Sequence, residues 1–305
     1  MATTSEWIGG ARPKTLPAAI VPVAVGTGVA DFLISELSPF QFWLRAILAL
    51  VVALGLQIGV NYANDYSDGV RGTDEMRVGP IRLVGQGLAE PKEVRNAAFI
   101  CFGAAAIAGL LLVILSQSWW LLVVGAIAIL AAWYYTGGKH PYGYSGLGEI
   151  AVFIFFGPVA VVGTTFVLVG HISLVALCLS FAVGLLACAL MLTNNLRDIS
   201  SDIESGKRTL AVQLGDRRTR DVYMLAMTLP YLICAAVGLL GIGLPGGFPK
   251  GVFLVFVSLP LVYLPWSSVH QGARGSDLVK VLGLTSLVYV FFGALLTIGL
   301  FVSHA

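Results

Sequence analysis

Asn61-Tyr62-Ala63-Asn64-Asp65-Tyr66-Ser67-Asp68-Gly69-Val70-Arg71-Gly72-Thr73-Asp74 begins inside a long apolar run and ends in a segment dense with charge. Asn61, Asn64, Asp65 and Asp68 stand at i, i+3, i+4 and i+7, which places all four on one face of a helix. Carboxylates and carboxamides on a membrane helix are costly unless something compensates them. A second stretch, Asn194-Asn195-Leu196-Arg197-Asp198-Ile199-Ser200-Ser201-Asp202, repeats the arrangement, with Asn194, Asp198 and Asp202 at i, i+4 and i+8. The spacing predicts two acidic faces that meet, hold divalent cations and bind a diphosphate through them.

The rest of the chain supports a membrane setting. Of 305 residues, 57% are hydrophobic and only 11% charged, and the mean hydropathy is +0.89. Soluble domains carry about 25% charged residues, so this composition excludes a soluble fold and predicts an all-α polytopic membrane protein. The formal net charge of +2 is too small to point to a nucleic-acid partner. Cys101, Cys178, Cys188 and Cys234 lie in apolar runs without Cys-x-x-Cys spacing and read as buried small hydrophobes. The four histidines are scattered, so no zinc site assembles by spacing. Arg12 and Lys14 precede an apolar run that has no small-residue cleavage site, and that run reads as a retained first helix.

Nine apolar segments can be drawn: Leu16–Ile34, Phe42–Asn61, Arg95–Leu115, Trp119–Thr136, Leu147–Val169, Leu174–Asn195, Val222–Leu240, Val252–His270 and Val279–Val302. They are read as one domain over residues 1–305. Placing the N-terminus and every second connection on one side puts sixteen of the eighteen Lys and Arg there, with Arg45 and Lys250 the exceptions. Fourteen of the sixteen acidic residues fall on the same side. By the positive-inside rule that side is cytoplasmic, which predicts a cytoplasmic N-terminus and active site and an external C-terminus. Both acidic stretches follow even-numbered helices, as a degenerate duplication of a four-helix unit would give.

Hard oxygen donors without nearby His or Cys favour Mg²⁺, which uses one or two carboxylates and completes its shell with phosphate and water. Asn64, Asp65, Asp68, Asp198 and Asp202 are the candidate ligands, with Asp74 as a further candidate. The competing reading of these stretches as ordinary solvated helix ends leaves the repeated spacing unexplained. Arg77, Arg82, Arg197, Lys207 and Arg208 are candidates for contacting diphosphate or acceptor, although positive-inside bias alone accounts for many such charges. Tyr135 and Lys139 read equally well as an interfacial aromatic with a snorkelling charge, or as groups beside the reacting carbon and the phosphate.

Asn64-Asp65-x-x-Asp68, Tyr135-x-x-x-Lys139 and Asp198-x-x-x-Asp202, together with Arg12-Pro13-Lys14-Thr15, resemble the motifs of the UbiA superfamily of intramembrane aromatic prenyltransferases. The resemblance runs over nearly the whole chain and implies nine helices. Many superfamily members place a third aspartate four residues after Asp68, where this chain has Gly72 and the next acid is Asp74. Gly72-Thr73-Asp74 with Arg77-Val78-Gly79-Pro80, and the run from Asn194 to Gly206-Lys207-Arg208-Thr209, resemble the branch acting on 1,4-dihydroxy-2-naphthoate in menaquinone synthesis.

That resemblance implies that Mg²⁺ on Asp68, Asp198 and Asp202, helped by Asn64 and Asp65, draws off the diphosphate of a polyprenyl donor taken from the bilayer. The ring of 1,4-dihydroxy-2-naphthoate then attacks the allylic cation and loses carbon dioxide, and Tyr62, Tyr66, Tyr135 or Phe156 are candidates to face that cation. Two rivals stand beside it. One is another acceptor such as 4-hydroxybenzoate. The other is a cation-coupled transporter, which the clustering of carboxylates at one end argues against.

Overall fold

A computed structural model describes residues 2–72, 81–241 and 249–304. The described residues form helices and connections without a strand. In chain order the helices are α1 (Thr4–Gly10), α2 (Pro17–Phe32), α3 (Pro39–Arg71), α4 (Pro91–Ser116), α5 (Leu121–Tyr134), α6 (Gly148–Ile154) and α7 (Ala160–Val169). They continue with α8 (Leu174–Arg197), α9 (Ile199–Glu204), α10 (Leu210–Leu240), α11 (Leu259–His270) and α12 (Ser276–His304). Asp74, Arg77 and the rest of the segment before Ile81 lie outside the described residues.

Each of the nine apolar segments contains a helix, but seven helices among the described residues are long and apolar enough to cross a membrane. An eighth span results if the Thr4–Thr15 and Pro17–Phe32 pieces, bent by 50° at their junction, count as one. Helix α5 is apolar but has only 14 residues, about 21 Å at 1.5 Å per residue. The expected count of nine spans is therefore not confirmed.

The longest helix, α3, starts where the Ser38 hydroxyl accepts the Gln41 amide and Pro39 takes the first turn, and stops at Gly72, whose φ is 71°. It runs ten residues past Asn61, because the motif face finds partners and the backbone stays helical. Helix α10 likewise starts at Leu210, before the apolar segment from Val222, with a hinge at Gly215 (φ 77°). Past that hinge, Arg220 binds Asp216, the Val269 carbonyl and the Ala273 carbonyl, so this charged turn is tied to α11 and does not fray.

Helix α8 is the most deeply buried span. Its Leu179, Val183, Leu186 and Leu192 pack with Tyr223 and Met227 of α10 and with Tyr289 and Phe292 of α12. Helix α3 pairs with α4, and α2 lies against α12 and α7. Small residues allow the closest crossings: a Cβ on Gly251 would lie 1.8 Å from the Gly299 carbonyl oxygen. Between α6 and α7, Phe155–Val159 widens into a π-helical turn around Pro158, which lacks the amide that a regular turn needs. Cys188 and Cys234 are buried as expected, whereas Cys101 and Cys178 are half-buried.

Candidate active site

The polar stripe of α3 is satisfied group by group, by several parts of the chain. Asn61 donates to the Ala11 carbonyl at 2.9 Å and to the Thr15 hydroxyl at 3.0 Å, tying α3 to the bent N-terminal segment. Asn64 accepts from the Thr136 hydroxyl at 2.8 Å, at the end of α5. Asp65, fully buried, accepts the Leu83 amide at 2.7 Å and the Val84 amide at 3.2 Å. Asp68 accepts from the Tyr144 hydroxyl and has Arg82 Nη1 and Lys207 Nζ each at 3.9 Å. One helix face thus fastens four segments, which offsets the penalty for burying it.

The second stretch is built differently. Helix α8 ends at Arg197, and Asp198 (φ −96°, ψ 6°) bends the chain before α9. The expected single helical face is therefore interrupted, although the Asp198 amide still reaches the Asn194 carbonyl (3.1 Å) and the Asp202 amide the Asp198 carbonyl (2.8 Å). Arg197 holds Asp198 with both arms, Nε at 2.7 Å and Nη2 at 2.9 Å, the strong paired form of an ion pair. Asp202 accepts the Thr209 hydroxyl at 3.3 Å, and its carbonyl accepts the Lys207 amide at 2.8 Å.

Lys207 joins the two stretches. Its backbone is fixed to Asp202, its ammonium faces Asp68, and it sits 4.4 Å from the centre of the Tyr144 ring. The buried carboxylates of Asp68, Asp198 and Asp202 are therefore brought to one end of the bundle with Arg82, Arg197 and Lys207 among them. Arg208 is exposed and contributes its amide, which donates to the Tyr144 carbonyl at 2.8 Å.

Tyr135 and Lys139 leave the same end of α5. The Tyr135 hydroxyl lies 3.9 Å from Met191 Sδ on α8, and Lys139 is exposed. Tyr135 meets Tyr142 edge-on at 5.5 Å. Burial pushes the Tyr142 phenol up to about 12, and its hydroxyl donates to the Ala131 carbonyl 2.9 Å away. Arg71 closes this corner by donating to the Thr136 and Gly138 carbonyls.

Tyr144 and Glu149 are the residues that sequence reasoning missed. Tyr144 lies in a short turn without periodicity, and only the alternation of tyrosine with glycine in Tyr142-Gly143-Tyr144 marked it. Glu149 announced itself as an acid inside an apolar segment.

Among the described residues no three His, Cys, Asp or Glu side chains converge into a ready-made metal cage. The donor set still fits Mg²⁺ arriving with a diphosphate: hard carboxylate oxygens from two stretches, with cations paired to them. Such a site binds the ion and the anion together or neither well.

Residues 19–287 match the UbiA prenyltransferase family. The chain is 47% identical over 296 residues, 95% of each sequence, to 1,4-dihydroxy-2-naphthoate octaprenyltransferase of Mycobacterium tuberculosis. It is 41% identical over 241 residues, 77% of this chain and 76% of the other, to the Escherichia coli protein of the same name. A solved UbiA homologue from Archaeoglobus fulgidus, bound to GPP and Mg²⁺, superposes with a TM-score of 0.68 at 12% identity, covering 96% of this chain and 99% of that one.

Proposed function

The chain belongs to the UbiA prenyltransferase family, and on that premise we propose that it transfers a polyprenyl group from its diphosphate to 1,4-dihydroxy-2-naphthoate, in menaquinone biosynthesis. The names of the similar proteins from M. tuberculosis and E. coli support the acceptor. The observation that carries the chemistry is the junction at Lys207, where two acidic stretches far apart in sequence reach one site.

In this reading Asp68, Asp198 and Asp202 hold Mg²⁺, which stabilises negative charge on the leaving diphosphate. Lys207, Arg82 and Arg197 give up part of their pairing with the carboxylates to contact phosphate oxygens, with Arg208 at the basic rim; Arg77, outside the described residues, stays a candidate from the sequence. Lys139, exposed at the mouth, attracts the diphosphate before it docks. Asn64 and Asp65 keep the end of α3 and the Ile81–Val84 segment in place, so that Asp68 is presented at a fixed depth. Apolar walls from α3, α5 and α8 exclude water from the allylic cation, and Tyr66 and Tyr135 offer ring faces to it. The bundle lies in the bilayer with this end and the N-terminus on the cytoplasmic side, as the charge asymmetry supports.

The test uses purified protein in lipid with Mg²⁺, a prenyl diphosphate and carboxyl-labelled 1,4-dihydroxy-2-naphthoate. The expected result is one label released as carbon dioxide per prenylated product, and no turnover after chelation of the metal. Prenylated product that keeps its label would overturn the decarboxylating step, and turnover of 4-hydroxybenzoate in place of dihydroxynaphthoate would overturn the acceptor.

A further inference from the structure

Glu149 stands one residue into α6 and is 5% exposed. Its Oε1 accepts from Asn195 Nδ2 of α8 at 2.7 Å, while Oε2 has no hydrogen-bond partner among the described residues. A buried carboxyl oxygen left without a donor is expensive, and such groups persist where a ligand completes them. The surroundings belong to the active-site end: Asn195 precedes Asp198 by one turn, and Asp202 lies within electrostatic reach. The neighbouring Gly148 brings α6 so close that a Cβ there would lie 2.7 Å from Met191 Cε and 3.3 Å from the Tyr135 hydroxyl. The Met191 thioether and the Tyr135 hydroxyl thus pack against the turn that carries Glu149.

We propose that Glu149, oriented by Asn195, binds a ring hydroxyl of the aromatic acceptor through its free oxygen. This deepens the reading of the chain as an aromatic prenyltransferase and rests on it. The chemistry selects the ligand group. In its ionised form the carboxyl accepts hydrogen bonds and donates none, so the partner that completes it is a donor. An acceptor carboxylate is repelled here by Glu149 and Asp202, whereas a phenolic hydroxyl is attracted. The ring therefore enters with its hydroxyl edge toward α6 and its own carboxylate turned toward the cations around Asp68. A hydroxyl held by an anionic acceptor pushes electron density into the ring, which is what attack on an allylic cation requires.

Glu149→Gln keeps the shape and the contact with Asn195 but presents an amide that repels a donor. We expect the acceptor KM to rise about tenfold or more, with the KM for the prenyl diphosphate within about twofold of wild type. The monomethyl ether of the docked hydroxyl should be a poor substrate for the wild type, and that penalty should largely vanish in the variant. If both KM values stay unchanged, or rise together with a falling thermal midpoint, the proposal is overturned and Glu149 is a packing residue. Should E149Q not fold, Asn195→Ala removes only the orienting amide. A selective rise in acceptor KM then supports the proposal, and an unchanged KM overturns it. A wild type that turns over no dihydroxynaphthoate overturns the acceptor reading itself, and this inference with it.

Discussion

The ends of α3 and α8 carry nearly the same letters and are built in opposite ways. On α3 the helix runs unbroken and its polar face is divided, with Asn61, Asn64 and Asp65 bound to other segments while Asp68 faces the site. On α8 the helix bends at Asp198, and the acids are held by near neighbours, Arg197 and Thr209. The first stretch is anchored from outside and rigid. The second is organised from within and linked across the gap by Lys207 and Tyr144. A repeated motif therefore need not mean a repeated role at each letter.

The sharpest way to break this contrast is to remove one charge from each carboxylate of α3. Asp68→Asn should lower turnover by about 10³-fold, the scale of losing one group that stabilises leaving-group charge. The thermal midpoint should stay near wild type, since an amide still accepts from Tyr144. Steady-state diphosphate release and thermal unfolding in detergent measure both sides, and near-native turnover at saturating Mg²⁺ would sink the assignment.

Asp65→Ala should reverse the pattern. Two buried backbone amides lose their charged acceptor, a destabilisation of about 3 kcal/mol. Reversible denaturation should reveal it, while preparations that remain folded keep measurable turnover. A silent effect on stability with abolished turnover would make Asp65 a metal ligand after all.

The smallest effect sharpens the link between the two ends. Tyr144→Phe removes the hydroxyl on Asp68 but keeps the ring under Lys207, so turnover should fall about tenfold, the lower end for one hydrogen bond to a charged group. A loss as large as that of Asp68→Asn would mean that the tyrosine takes part in the chemistry.

Sequence made the helical membrane fold legible, because apolar segments and the charge asymmetry between connections report burial in lipid directly. It also singled out Asp68, Asp198, Asp202 and Lys207, which the fold brings to one end of the bundle, since charges beside long apolar runs have few bland explanations. It did not divide the labour among Asn64, Asp65 and Asp68, because spacing shows which face they share and says nothing about what comes to meet that face. The true start of α10 was hidden by Arg217, Arg218 and Arg220, whose charge resembles a loop until Arg220 is seen bound to two α11-end carbonyls. Tyr144 and Glu149 gain their meaning from contacts across 76 and 46 residues of sequence, which no local pattern encodes.

Helix α5 has a consequence for the membrane itself. Its 14 residues reach about 21 Å against a hydrocarbon layer about 30 Å thick. Were α5 to cross that layer, the bilayer beside it would have to thin or the polar surface dip to meet it, at a fraction of a kcal/mol per Å of mismatch. Tyr135 and Thr136, at the end of that helix, then stand below the level of the surrounding headgroups, beside Asn64 and the corner closed by Arg71. A dimple of this kind lets a water-borne ring descend and a lipid-borne diphosphate rise by only a short distance before they meet. In that case the lipid thickness around α5 would be a lever on the enzyme, set by the membrane and not by the chain.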